Sequence, residues 1–210
     1  MGLPQPKAYY TIGDYLEIER SSDERYEFLD GEIYLMAGES DAHGDICSNL
    51  IISLGNQLRE TPCRVRSKDT KIRSGAIPEK ARTTKGMFSY PDVVVFCGAL
   101  QHHDEYKDVL INPNVVIEVL SESTAEFDRG EKFMRYRNWN PTLTDYILVS
   151  QDKPVVEHYV RQENGTWILH EYHGLAANFK IDSINCVLSL AEVFDRVEFP
   201  PDALDVFPTK

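Results

Sequence analysis

Pro91-Asp92-Val93-Val94-Val95-Phe96 and Val115-Val116-Ile117-Glu118-Val119-Leu120 are short, nearly continuous apolar runs, and each carries one carboxylate. Runs of this length without polar alternation read as central strands covered on both faces. Asp145-Tyr146-Ile147-Leu148-Val149 is a third run of the same kind. Between the second and the third, the pattern predicts a helix from about Phe127 to Trp139, stopped by Pro141. Strand–helix–strand order favours a parallel crossover. The fold class expected from these stretches is α/β.

Upstream, Tyr9 to Glu19 reads as a short opening helix, and Arg25 to Met36 as a hairpin turning on Asp30-Gly31, a strong two-residue turn signal. Ser40-Asp41 can cap the next element. Ile46, Leu50, Leu54 and Leu58 fall four apart, with Cys47 and Ile51 widening the stripe, which predicts a helix over about 43–60, ended by Pro62. Cys63 to Arg73 alternates like strand, turn and strand, and Ser74 to Ser89, with Gly75, Pro78 and Gly86, reads as a mobile loop. Downstream, Val155 to Tyr159 and Thr166 to Tyr172 flank Asn164-Gly165 as a second hairpin. A strand near Cys186 to Leu188, a helical turn at Leu190 to Phe194 and a Pro-rich tail at 196–210 complete the chain. No internal repeat or low-complexity tract interrupts it.

A chain of 210 residues fits one domain, and 42% hydrophobic residues supply a continuous core at that size. No apolar run approaches the roughly 20 residues needed to cross a bilayer, and no secretion signal opens the sequence. The Met1-Gly2 start lacks the downstream Ser or Thr of a myristoylation motif, because Pro6 stands there. Cys47, Cys63, Cys97 and Cys186 are far apart, and Cys47 and Cys97 sit in apolar segments as buried free thiols do. A cytoplasmic protein without membrane contact is the expectation.

The net charge of −12 speaks against a large unspecific nucleic-acid surface, since phosphate affinity comes mostly from Lys and Arg. The charge is uneven, however. From Arg64 to Lys85 stand eight basic residues (Arg64, Arg66, Lys68, Lys71, Arg73, Lys80, Arg82, Lys85) against Asp69 and Glu79. That strip could guide a polyanion to one place, or be a solvated loop of mixed charge.

Asp92 and Glu118 interrupt buried strands, where an ionised carboxylate is costly unless paired or bound to metal. If the strands are neighbours, both can converge on one cation. Such oxygen ligands suit Mg²⁺ or Mn²⁺. The plainer alternative is a pair of buried ion pairs, which needs two separate explanations. On the following helix Asp128, Lys132, Arg135 and Tyr136 share a face. Lys132 could point at the metal site and stabilise charge on a scissile phosphate. Spacing alone favours an ordinary Asp128–Lys132 surface pair. His102-His103-Asp104-Glu105 is explained by a polar loop, and His158, His170 and His173 by exposed strand positions.

Tyr26-Glu27-Phe28-Leu29-Asp30-Gly31-Glu32-Ile33-Tyr34, His43 at a helix start, Pro91 to Val95, Glu118-Val119-Leu120-Ser121, Asp128-Arg129-Gly130-Glu131-Lys132 and Asp145 to Val149 resemble, in order and spacing, the Uma2 family of restriction-endonuclease-like proteins. The resemblance runs from about Tyr10 to Phe194. It implies the PD-(D/E)xK nuclease fold, an α/β (α+β) restriction-endonuclease-like core of about residues 10–195 with a central mixed β-sheet flanked by helices and hairpins near both ends. It also implies residue roles. Asp92 is the motif aspartate, Glu118 the second acid, and Lys132 the basic member moved from the strand to the next helix, since position 120 is Leu120. Glu27 matches the family's N-terminal acid, and His43 a position where the family often has His.

The function these readings imply is a Mg²⁺- or Mn²⁺-dependent endonuclease acting on nucleic acid, DNA ahead of RNA, with a homodimer plausible for cutting both strands. The competing reading is a nuclease-fold binding or regulatory protein that no longer cuts.

Overall fold

The computed structural model describes residues 9–36, 38–75, 83–201 and 203. Among them, β3 (Cys63–Ser67), β6 (Val93–Cys97), β8 (Val115–Leu120), β9 (Asp145–Ser150), β10 (Val155–Arg161) and β11 (Trp167–His173) build a six-stranded sheet in the order β11-β10-β9-β8-β6-β3. β8 and β9 run parallel and the other neighbours antiparallel, so the sheet is mixed. The three apolar runs of the sequence are its central strands, and β8 and β9 are buried along their whole length.

Alternation along these strands divides the core. Val93, Val95, Val115, Ile117, Val119, Ile147 and Val149 face α2 (Asp41–Gln57), α5 (Leu190–Val193) and the hairpin of β12 (Asn178–Ile181) and β13 (Cys186–Ser189). Val94, Phe96, Val116, Leu120, Tyr146 and Leu148 face the opposite layer, with Phe133 and Tyr136 of α4 (Phe133–Trp139). That layer also holds a second sheet. Its strands are β1 (Tyr26–Leu29), β2 (Glu32–Leu35), β4 (Lys71–Ser74), β5 (Met87–Ser89) and β7 (Val109–Leu110), in the order β2-β1-β5-β4-β7. α1 (Ile12–Ser21), capped by a reciprocal Thr11–Asp14 box, packs Tyr15 against Phe28 and Phe88 of this sheet.

Cys63 to Arg73 does run strand, turn and strand, with β3 joining the central sheet and β4 the other. Several other expectations are corrected by this topology. Ser74 to Ser89 is not a loop throughout: Met87–Ser89 is buried strand β5, while residues 76–82 lie outside the described residues. So do the N-terminal Met-Gly and most of the Pro-rich tail. Cys97 is not a free thiol. Antiparallel pairing of β3 with β6 sets it directly opposite Cys63, and the two form a disulfide. Cys47 and Cys186 are free and buried. His158 is not an exposed strand residue; it is buried and bonded to Asp145 at 2.7 Å, on the face covered by Phe179. No helix among the described residues is long and apolar enough to cross a membrane.

The turn of the first hairpin adopts positive φ at both Asp30 and Gly31, as a tight two-residue turn requires. Asp30 also ties this hairpin to the rest of the molecule. Its carboxylate accepts hydrogen bonds from Arg135 Nη1 (3.2 Å), Arg135 Nη2 (2.8 Å) and the Gly86 amide (2.9 Å). Burial would raise its pKa, but Arg135 and the amide overcome that and lower it to about 2. The stabilisation is therefore complete above the usual carboxylate value and disappears as pH falls through about 2. Asp30→Asn is expected to cost about 1–2 kcal/mol near neutral pH. In urea unfolding the difference from the unsubstituted protein should vanish as the pH is taken from 5 toward 2.

Candidate active site

The register of β6 and β8 pairs Val93 with Ile117. One step further, just ahead of β6, it sets Asp92 opposite Glu118. Directly opposite residues of an antiparallel pair share a face, and both acids line one cleft of about 610 Å³ between the two sheets. Asp92 accepts the Val119 amide on Oδ2 at 2.8 Å and contacts His43 Nε2 through Oδ1 at 2.9 Å. His43 comes from the first turns of α2, started by Ser40, whose hydroxyl accepts the His43 amide at 3.2 Å. Burial alone would lower the imidazole pKa, but the Asp92 carboxylate raises it above the ordinary histidine value.

Glu118 lies 3% exposed beneath the helix that follows its strand. That helix begins at α3 (Ala125–Phe127), widens into a single π-turn over Asp128–Lys132, and continues as α4. A π-turn inserts one residue into the helical repeat and re-aims side chains, which is why such turns recur at functional sites. Here Asp128 and Lys132 are both turned inward, 3% and 6% exposed. Lys132 Nζ sits 2.9 Å from Glu118 Oε1 and 3.1 Å from Asp128 Oδ1. The surface ion pair that spacing favoured is thus a buried three-charge cluster. Tyr146 holds the turn from below by donating to the Asp128 carbonyl at 2.9 Å.

The electrostatics show a surplus of negative charge. Burial disfavours the Lys132 ammonium, yet Glu118 and Asp128 outweigh it and keep the lysine protonated well above its ordinary range. Burial pushes the Glu118 carboxyl well above its own ordinary range; Lys132 pulls it back, while Asp128 and Asp92 push with burial. One ammonium does not balance the carboxylates gathered here. Glu118 Oε1 and Asp128 Oδ1 are fully buried, with no hydrogen bond besides the ionic contact to Lys132. Such an acidic, oxygen-rich pocket fits a hard divalent cation at Asp92 and Glu118.

All five residues singled out by sequence line this cleft. Glu27 accepts the Tyr90 amide at 3.0 Å and is among the charges acting on Lys132. The loop histidines stay outside it: Asp104 pairs with Arg20 at 2.7 Å, and His103 packs edge-on against Phe88. The buried part of Asp128 was missed, as were Glu39 and Cys47, four residues either side of His43. The available signal for the last two was their place beside His43, Cys47 one helical turn on and Glu39 just ahead of the Ser40 cap. The basic strip does not form one surface. Lys71 and Arg73 are buried, Lys80 and Arg82 lie outside the described residues, Arg64 and Arg66 stand exposed along β3, and Lys68 and the exposed Lys85 lie apart from them, paired with Glu39 and Asp30.

A family profile carrying the description "Uma2: Putative restriction endonuclease" matches residues 12–191. The chain belongs to the Uma2 family. Two uncharacterized proteins of Synechocystis sp. are similar to it: slr1290, 33% identical over 89% of this chain and 92% of its own, and sll1609, 32% identical over 78% and 88%. A crystal structure from Anabaena variabilis, described as a "putative nuclease belonging to DUF820", has the same fold, with a TM-score of 0.70 over 90% of this chain and 99% of that one at 16% identity. A central mixed sheet flanked by helices is therefore common to this Uma2 chain and that structure.

Two outcomes follow from the geometry. The His43 imidazole should titrate above pH 6.5 by NMR and drop on Asp92→Asn; the associated stabilisation is full below 6.5 and is lost as pH rises through the raised value. Lys132→Met leaves two buried acids without their cation and should cost about 3–5 kcal/mol at pH 7. Part of that loss should return on acidification, since the Glu118 carboxyl is pushed well above its ordinary range and takes up a proton more readily than a free one, as compared by urea denaturation over a falling pH series.

Proposed function

We propose that this Uma2 protein is a divalent-metal-dependent nuclease that hydrolyses phosphodiester bonds, with DNA as its substrate. The observation that carries the reading is the convergence of Asp92, Glu118 and Lys132, from two adjacent strands and the next helix, on one cleft wall. Asp92 and Glu118 would hold Mg²⁺ or Mn²⁺. The chemistry such an ion supplies, when bound, is neutralisation of phosphate charge and supply of a nucleophilic hydroxide near neutral pH.

The chain's own groups do the remainder. Lys132, kept cationic by its two acids, donates to the phosphate oxygen on which charge develops. Glu27 orients the attacking water from the cleft wall. His43 holds Asp92 in position through Oδ1 while the Val119 amide holds Oδ2. Arg64 and Arg66, exposed along edge strand β3, and Lys68 at the cleft offer a short cationic track for a phosphate backbone. Duplex cleavage on both strands calls for two copies acting together.

One observation favours a second reading, a nuclease-fold protein that binds without cutting. Both acids already have an internal partner at 2.9 Å, Lys132 for Glu118 and His43 for Asp92, so the site is partly neutralised by the protein itself. Calorimetry with Mn²⁺ separates the two: absence of binding at millimolar ion supports the non-cutting protein. Under the nuclease reading, DNA cleavage requires Mg²⁺ or Mn²⁺ and is abolished by Asp92→Asn and by Glu118→Gln. Lys132→Ala is expected to lower the rate by about 10²–10³-fold. Cleavage that survives both acid substitutions would falsify the assignment.

A further inference from the structure

Behind the oxygen pair, the first turns of α2 gather donors of another kind. His43 and Cys47 stand four apart, the spacing that stacks side chains on one helical face, and Glu39 lies just ahead of the Ser40 cap, four residues before His43. One ligand atom from each lies within 4.8 Å of the other two. The same His43 Nε2 is 2.9 Å from Asp92 Oδ1 and 4.0 Å from Glu39 Oε2. Lys68 neutralises the other Glu39 oxygen, Oε1, at 2.5 Å and leaves Oε2 toward the imidazole. Cys47 is 7% exposed and Asp92 is among the charges acting on its thiol.

We propose that Glu39, His43, Cys47 and Asp92 form a second metal site, for a thiophilic divalent ion of the zinc class, which shares Asp92 with the oxygen site of Glu118. The set is one sulfur, one imidazole nitrogen and two carboxylates, a four-donor combination that zinc accepts in tetrahedral geometry. Mg²⁺ has little affinity for sulfur, so this donor set sorts ions by softness. Metal–donor distances of about 2.0–2.3 Å imply donor–donor separations of about 3.3–3.8 Å. Glu39, His43 and Cys47 close to that range from separations of up to 4.8 Å, and Asp92, outside that trio but 2.9 Å from His43 Nε2, moves in as the fourth donor while Nε2 and Oδ1 part slightly to admit the ion. The Cys47 thiol and His43 Nε2 release their protons to solvent, the imidazole binding in its neutral form with the proton on Nδ1, and the ion with one thiolate and two carboxylates carries one negative charge that Lys68 on Glu39 offsets.

The proposal rests on the metal-centre reading only through Asp92, so the test reads metal binding and not cleavage. The full-length chain, stripped with chelator, is titrated with Co²⁺ under reductant. The expected result is a near-ultraviolet thiolate-to-cobalt charge-transfer band with visible bands of tetrahedral intensity, displaced by one equivalent of Zn²⁺ and not by Mg²⁺. Cys47→Ser should abolish the charge-transfer band and weaken Zn²⁺ binding at least tenfold, with folding checked by circular dichroism. His43→Gln serves as a second variant should Cys47→Ser fail to fold, and should shift the visible bands and weaken Zn²⁺ in the same way. Cys186→Ser should leave the spectrum unchanged. Glu118→Gln should keep the band, even where it abolishes cleavage, so the fates of the two sites are read separately. No charge-transfer band in the unsubstituted protein, or a band that persists in Cys47→Ser, overturns the second site and leaves the oxygen site standing.

Discussion

A single ammonium group, that of Lys132, is held out of water between Glu118 and Asp128. Burying three charges is expensive, and their mutual attraction offsets the cost only where the geometry is enforced. The enforcement is distributed. The π-turn aims both members of the helix at the sheet, Tyr146 clamps the turn from beneath, and the Tyr136 hydroxyl pairs with Ser89 Oγ of the second sheet at 2.8 Å. Phe133, stacked on Tyr146 at 4.8 Å, closes the apolar floor. The helix cannot slide along the sheet without exposing an uncompensated charge, and the position of the cleft wall depends on that.

The two-sheet construction explains why the acids meet where they do. Glu118 belongs to a central strand buried on both faces, whereas Asp92 stands one residue before its strand begins. That small offset lets Asp92 touch the β8 backbone on one side and α2 on the other. It thereby joins the helix-covered layer to the cleft layer at the end of the sheet. Fold alone does not confer an activity; the chemistry is collected at that junction, with carboxylate oxygens on one side and Glu39, His43 and Cys47 on the other.

Much of this was legible in the sequence, for definite physical reasons. Continuous apolar runs announced β6, β8 and β9, and Asp30-Gly31 and Asn164-Gly165 announced hairpins, because these signals are local. The carboxylates stood out because a charge inside an apolar run demands a partner. What failed was information carried by distant pairing. Cys63 and Cys97 are remote in sequence, and only the β3–β6 register reveals them as partners. The short strands β5, β7 and β12 gave too few residues for a period to show. Lys132 and His158 looked exposed because a polar residue is recognised as buried only once its counter-charge, Glu118 or Asp145, is in view. Lys71 likewise disappears beneath α1 beside Glu19 and Tyr90, where no linear charge count could follow it.

The bond from Asp30 to Arg135 connects places that the chain keeps far apart. Arg135 lies on the same helix as Lys132, three residues on, and Asp30 lies at the very tip of the first hairpin, whose outer strand exposes Tyr34 and Leu35 at the mouth of the cleft. The tip, the helix and the lysine therefore behave as a single tie-rod anchored at both ends. One arginine and a single helical turn thus separate the rim that a ligand would meet first from the charges at the floor.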